Sequence, residues 1–107
     1  MSQELSDLNP NEHIILSAHL EAKTEEGANT LQEILLAIKK NTEVAEPGCL
    51  VFRVHRFKQL FMVYEEYTGK EAVEFHFTSV PFKKLISEGK EILVKQPGLA
   101  YYKEVTA

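Results

Sequence analysis

Residues 46–85 read EPGCLVFRVHRFKQLFMVYEEYTGKEAVEFHFTSVPFKKL: a turn, two strands joined by a short loop, then a helix that carries a histidine. Glu46-Pro47-Gly48 has the chemistry of a turn, with proline presetting one backbone angle and glycine supplying a left-handed one. Cys49 to Phe57 and Leu60 to Tyr67 are rich in β-branched and aromatic residues, as strands are. Thr68-Gly69-Lys70 breaks the second strand. From Glu71 the apolar spacing becomes helical, and His76 is delivered toward whatever the strands enclose.

The faces of this hairpin are informative because side chains alternate along a strand. Leu50, Phe52 and Val54 share one face of the first strand, and Val51, Arg53 and His55 the other. In its partner, Phe61, Val63, Glu65 and Tyr67 lie together, opposite Leu60, Met62, Tyr64 and Glu66. Both faces therefore carry apolar residues, whereas two helices cover only one. A second copy of the same sheet is the economical cover for the other, which implies a homodimer through the sheet face.

Working outward, residues 13–23 alternate with Ile14, Leu16, Ala18, Leu20 and Ala22 on one side, the pattern of a half-buried strand. Thr24 is placed to cap a helix whose apolar stripe is Ala28, Leu31, Ile34, Leu35 and Ile38. Lys39 and Lys40 suit its negative end, and Asn41 is expected to close it in a left-handed conformation. Downstream, Pro81 divides the second helical region near Thr78, with Ser79 as cap of the latter piece and Gly89 as its stop. A final strand is expected over Leu99 to Val105. Residues 1–12 read as a flexible N-terminal arm. Residues 13–107 follow the order β-α-β-β-α-β, that of a ferredoxin-like α+β sandwich.

Composition narrows the function. The 107-residue chain is one domain large enough for a real core, and its net charge of −4 offers no electrostatic footprint for nucleic acid or an anionic membrane. Cys49 is the only cysteine, so neither an intrachain disulfide nor a cysteine-rich zinc set is available. No basic, apolar leader opens the sequence and no apolar run approaches the roughly 20 residues that span a bilayer. A cytoplasmic or otherwise reducing location is the expectation. His13 and His19 share a face with Glu21, but about 20 Å of strand between the histidines excludes joint ligation of one metal ion.

His76 is the leading candidate for chemistry. An imidazole titrates near neutrality and can take a proton from a phenol or from carbon next to a carbonyl. The structural alternative is a satisfied histidine between helix and sheet. Glu65, expected on the helix side between Val63 and Tyr67, needs a partner because an unpaired buried charge is costly. It either orients His76 and binds substrate hydroxyls or holds the helix to the sheet. Arg53 and His55 could meet an acidic substrate, or serve as interface or surface polar groups. Phe52, Tyr67 and Phe82 are core residues that could also line an aromatic pocket. No glycine-rich phosphate loop, nucleotide fingerprint or Ser/His/Asp signature is present.

The segment from Glu46 to Leu85 resembles the antibiotic biosynthesis monooxygenase family. The family pattern runs approximately E-x-G-C-hydrophobic-x-(F/Y)-x-V-x-R, then Y-E-x-(Y/W), then A-x-x-x-H-x-x-(S/T)-x-x-(F/Y). It falls here on Glu46, Gly48, Cys49, Leu50, Phe52, Val54 and Arg56, then Tyr64, Glu65 and Tyr67, then Ala72, His76, Ser79 and Phe82. The resemblance implies a ferredoxin-like subunit whose sheets pair into a dimeric α+β barrel. It also implies one of three chemistries: cofactor-free oxygenation of quinols and polyketide phenols, haem degradation, or isomerisation of a phosphorylated bacterial signal. The haem degraders are least similar, since their tryptophan falls on His76 and their haem-ligating histidine on Ile86. A second histidine common in the family's helix is Pro81 here. The expectation is a monooxygenase that uses no cofactor, with O2 as co-substrate and a small aromatic substrate. His76 is its base, Glu65 the base's partner, and Tyr67, Phe52, Phe82 and Arg53 bind substrate. The isomerase and a non-catalytic small-molecule-binding or stress-related dimer are the alternatives.

Overall fold

The computed structural model describes residues 5–9 and 11–106. After a short 3-10 turn at Leu5–Asp7 come β1 (Ile14–Glu21), α1 (Glu25–Ala45), β2 (Cys49–Phe57) and β3 (Leu60–Tyr67). α2 (Lys70–His76), α3 (Val80–Ile92) and β4 (Gly98–Tyr102) complete the chain. The four strands form one antiparallel sheet in the order β2-β3-β1-β4. With the helices on one face, this is the expected ferredoxin-like α+β sandwich. The arm expected over residues 1–12 lies partly outside the described residues; within them, Leu5 and Leu8 pack against the core. Among the described residues no helix is long and apolar enough to cross a membrane.

The core lies between the helices and the sheet, as the alternation of β1 and the stripe of α1 require. Ile14, Leu16, Ala18 and Leu20 point inward from β1, and Ala28, Leu31, Ile34, Leu35 and Ile38 descend on them from α1. The Thr24 hydroxyl accepts a hydrogen bond from the Gly27 amide at 2.9 Å, satisfying one of the free donors at the start of α1. At the far edge, Arg56 donates to Asn29 and Gln32 and so ties β2 to α1.

Several boundaries differ from the sequence expectation, each for a local reason. α1 does not stop at Asn41 but runs another turn to Ala45, where the Glu46 amide donates to the Thr42 carbonyl. Buried Thr42 extends the inward stripe beyond Ile38, and the Asn41 side chain is spent on another contact. Gly89 lies inside α3 rather than ending it: a Cβ there would sit 3.2 Å from the Leu93 side chain, so the glycine serves close packing. The helix ends where Leu93 bridges to Ala22, pinned by Lys23 N–H to Ile92 O and Val94 N–H to Glu21 O. β4 is shorter than expected and closes at Tyr102. A register shift between Cys49 and Val51 turns Leu50 out to 52% exposure, so it leaves the inward face that Phe52 and Val54 keep.

Gly48 also has a different task from the one expected. No described glycine has a positive φ, and the one left-handed residue among those described is Lys58, at φ 54° in the β2–β3 loop. What Gly48 provides is proximity: a Cβ on it would stand 2.6 Å from the Ala72 Cβ of α2. The missing side chain lets α2 lie directly on the start of β2. Gly48→Ala is therefore expected to destabilise the fold by about 1–3 kcal/mol through overpacking. Urea unfolding measures this, and an unchanged midpoint would show that α2 shifts freely.

Candidate functional site

α1 and α2 both end at the same place. α1 closes on Glu46, and α2, pressed on Gly48 through Ala72 and anchored by buried Val73, ends with His76. Both side chains are buried, and His76 Nδ1 lies 2.8 Å from Glu46 Oε1. The second oxygen of Glu46 accepts from the Asn41 amide at 2.7 Å. A carboxylate offers only acceptors, so Nδ1 carries the ring proton and Nε2 keeps its lone pair. Glu46 thus selects the tautomer and leaves Nε2 as the basic atom.

Nε2 faces Glu65 of β3, with 3.7 Å between it and Oε1, longer than a hydrogen bond. The Tyr67 hydroxyl donates to that same Oε1. Burial drives the Glu65 carboxyl up to about 7, against the opposing Tyr67 hydrogen bond and with help from the charge of Glu46. Burial likewise holds His76 below its ordinary value, opposed by the Glu46 hydrogen bond. Near neutral pH the site therefore pairs an uncharged imidazole with a carboxyl poised to gain or lose a proton. Phe52, Tyr67, Phe77 and Phe82 surround the imidazole, with ring centroids between 5.4 and 6.0 Å away.

His76 and Glu65 form part of the wall of a cavity of about 570 Å³ between α3 and the inner face of the sheet. Phe52 and Phe82 also line it. Tyr67 does not: it is 0% exposed and acts by holding Glu65. Arg53 does not either, because strand alternation puts it on the outer face opposite Tyr64, with the sheet between it and the cavity. Cys49 is half-buried near the pair. Burial, then the charges of Glu46 and Glu65, push its thiol up to about 11, so it is no activated nucleophile.

The residue that sequence reasoning missed is Glu46, read as part of a turn. Its one signal was its place at the head of the family pattern, since its partner lies thirty positions away.

An inward-facing Glu–His pair at one end of an apolar cavity, on a ferredoxin-like sheet, marks an α+β domain built around a small-molecule-sized site. The family model for antibiotic biosynthesis monooxygenases matches residues 14–88, from β1 into α3, and the chain belongs to that family. Solved structures share the fold. A Caulobacter crescentus protein named as a candidate antibiotic biosynthesis monooxygenase is 22% identical, with a TM-score of 0.79 over 90% of this chain and 92% of its own. A similarly named Deinococcus radiodurans protein is 22% identical, with a TM-score of 0.76 over 88% and 94%. A Mycobacterium tuberculosis protein is 16% identical, with a TM-score of 0.80 over 90% and 98%. No curated protein matches the chain in sequence.

The raised carboxyl has a consequence for stability. Glu65 ionises at about 7 in the folded protein, against an ordinary 4.5, so between those values the folded state holds the extra proton. Its contribution to stability is present at acid pH and is lost as pH rises through about 7. Glu65→Gln keeps an acceptor for Tyr67 and removes the charge. The variant should melt above wild type at about pH 8, with the gap closing toward about pH 5. A gap that does not change with pH would show that Glu65 does not titrate in this way.

Proposed function

We propose that the protein is a cofactor-independent monooxygenase of a small quinol or phenolic aromatic, with His76 as general base. The observation that supports it most is the buried Glu46–His76 pair, which leaves Nε2 unprotonated and facing an apolar, aromatic-walled cavity. Nε2 takes a proton from the phenol or from an activated ring CH2. The resulting electron-rich carbanion reduces O2 directly, forming a carbon–oxygen bond. Loss of the hydrogen that remains on that carbon, with cleavage of the O–O bond, leaves a carbonyl and releases water. The substrate supplies all four electrons, one oxygen atom enters the product, and the protein contributes a base, orientation and exclusion of water. Glu65, protonated near neutrality, is suited to return a proton to the departing oxygen.

The proximity of two proton-handling groups also supports the isomerase reading. Nε2 and Glu65 Oε1, 3.7 Å apart, could serve adjacent carbons of a hydroxyketone. Such a reaction consumes no O2. The proposed setting is the cytoplasm, in keeping with the solitary thiol of Cys49.

The proposed assembly is a homodimer through the outer sheet face. Phe57, Leu60 and Tyr102 are 69%, 52% and 53% exposed there, around half-buried Met62. Sedimentation equilibrium should give a dimer for wild type and a monomer for Met62→Glu. A monomeric wild type would overturn the assembly.

O2 consumption with a panel of quinols and hydroxylated polycyclic aromatics, corrected for autoxidation, tests the reaction. Protein-dependent uptake should fall by about 10²–10⁴-fold in His76→Ala. Glu46→Gln should lower kcat while leaving KM nearly unchanged, because it disturbs the tautomer and not the cavity wall. Uptake indifferent to His76→Ala would remove the base. Turnover of a hydroxyketone with no uptake would establish the isomerase instead.

A further inference from the structure

The cavity is a slot with two chemically different ends. His76, Glu65 and Phe82 form one end. From there the wall follows β1 through Leu16, Ala18 and Leu20, and α3 through Leu85, Ile86 and Gly89. Lys23, Lys90, Lys95 and Gln96 also line it, brought to one place by the backbone bonds of Lys23 N–H to Ile92 O and of Val94 N–H to Glu21 O. Leu16 is the register partner of Glu65, and Lys23 lies seven residues further along the chain. At about 3.3 Å per residue, that places Lys23 roughly 20 Å from the reacting end along the chain. Along α3 the distance from Phe82 to Lys90 is about 12 Å at 1.5 Å per residue.

The charge at the lysine end runs against the rest of the chain. The net charge is −4, yet the cavity wall holds three lysines and one acidic residue, Glu65, which sits at the opposite end. None of Lys23, Lys90 and Lys95 has an ion-pair partner among the described residues, whereas Lys39, Lys84 and Lys103 each do. Of the nearby carboxylates, Glu88 is 3.6 Å from Lys84, and Glu21, Glu25, Glu26 and Glu91 do not line the cavity. Three ammonium groups at the rim of a low-dielectric slot focus a positive potential into it.

We infer that the ligand of this cavity is an elongated amphipathic anion. Its carboxylate, sulfate or phosphate sits among Lys23, Lys90 and Lys95, its apolar body lies along β1 and α3, and its reactive end meets His76. The inference rests on the cavity being the substrate site, and it names the class of molecule that the site selects. A neutral quinol fills only the apolar part, while an acidic one gains the lysine contacts and is guided in by them.

Dansylaminoundecanoic acid and its methyl ester share an aromatic head and an alkyl chain and differ in one negative charge. Their affinities can be read by dansyl fluorescence with the full chain. At low ionic strength the acid should bind about tenfold tighter than the ester, and the advantage should shrink as salt screens the rim. The triple variant Lys23→Gln, Lys90→Gln, Lys95→Gln changes exposed side chains only. It should bind the acid as weakly as the ester, with ester affinity unchanged. Equal affinity of wild type for acid and ester, or a triple variant that keeps the preference, would overturn the inference and leave the reaction at His76 standing. Binding of neither probe would overturn both the inference and the cavity as a substrate site.

Discussion

The 2.8 Å contact between Glu46 and His76 is the constraint on which the rest depends. Burying a carboxylate and an imidazole separately would cost several kcal/mol, since each loses water that nothing replaces. Together, and with Asn41 on the second carboxylate oxygen, the polar atoms are satisfied; among the described residues no buried side-chain nitrogen or oxygen lacks a partner. A carboxylate at the C-terminal end of α1 is also disfavoured by that helix's dipole, which makes the donors from His76 and Asn41 the more necessary. The bond therefore acts in two ways at once. It fastens the end of α1 to the end of α2, and it fixes which nitrogen of the imidazole is free.

Around that bond the protein avoids accumulating charge. Glu65 lies on the other side of the ring, and two ionised carboxylates so close in an apolar setting would repel. Burial first, with the charge of Glu46 adding to it, lets Glu65 hold its proton to about pH 7. Tyr67 matters here although no ligand can touch it. Its hydroxyl gives the Glu65 oxygen a donor in both protonation states, so the carboxyl keeps its place while its charge changes.

What the sequence made legible follows from how far apart the deciding residues lie. β2 and β3 have the expected ends because alternation and the two-residue loop are local properties. Phe52, Glu65 and His76 were placed on the inner side by the same periodicities. Alternation along β2 puts Arg53 on the outer face, away from the cavity where a substrate ligand is expected, and the structure keeps it there. Leu50 left its expected face because a bulge breaks the period of two, and nothing within β2 announces it. α1 outran Asn41 because the turn beyond is stabilised by tertiary burial of Thr42, which helix-end chemistry does not encode. Glu46 was hidden for the most general reason: a residue that matters through one partner thirty positions away leaves no periodic trace. The lysine rim was hidden likewise, being drawn from the end of β1, from α3 and from the link after it.

That last arrangement makes the two ends of the domain separable. The proton-handling end is built where α1, α2 and the head of the hairpin converge. The opposite end is braced by backbone bonds from Lys23 and Val94 and by the Ala22–Leu93 bridge. The link of residues 93–97 between α3 and β4 borders only that second end. Insertions or exchanges in it would change the lining of that end without moving the imidazole, and effects at sites so far apart combine almost independently. A lineage carrying this architecture can vary that end one short segment at a time while the Glu46–His76 pair stays in place.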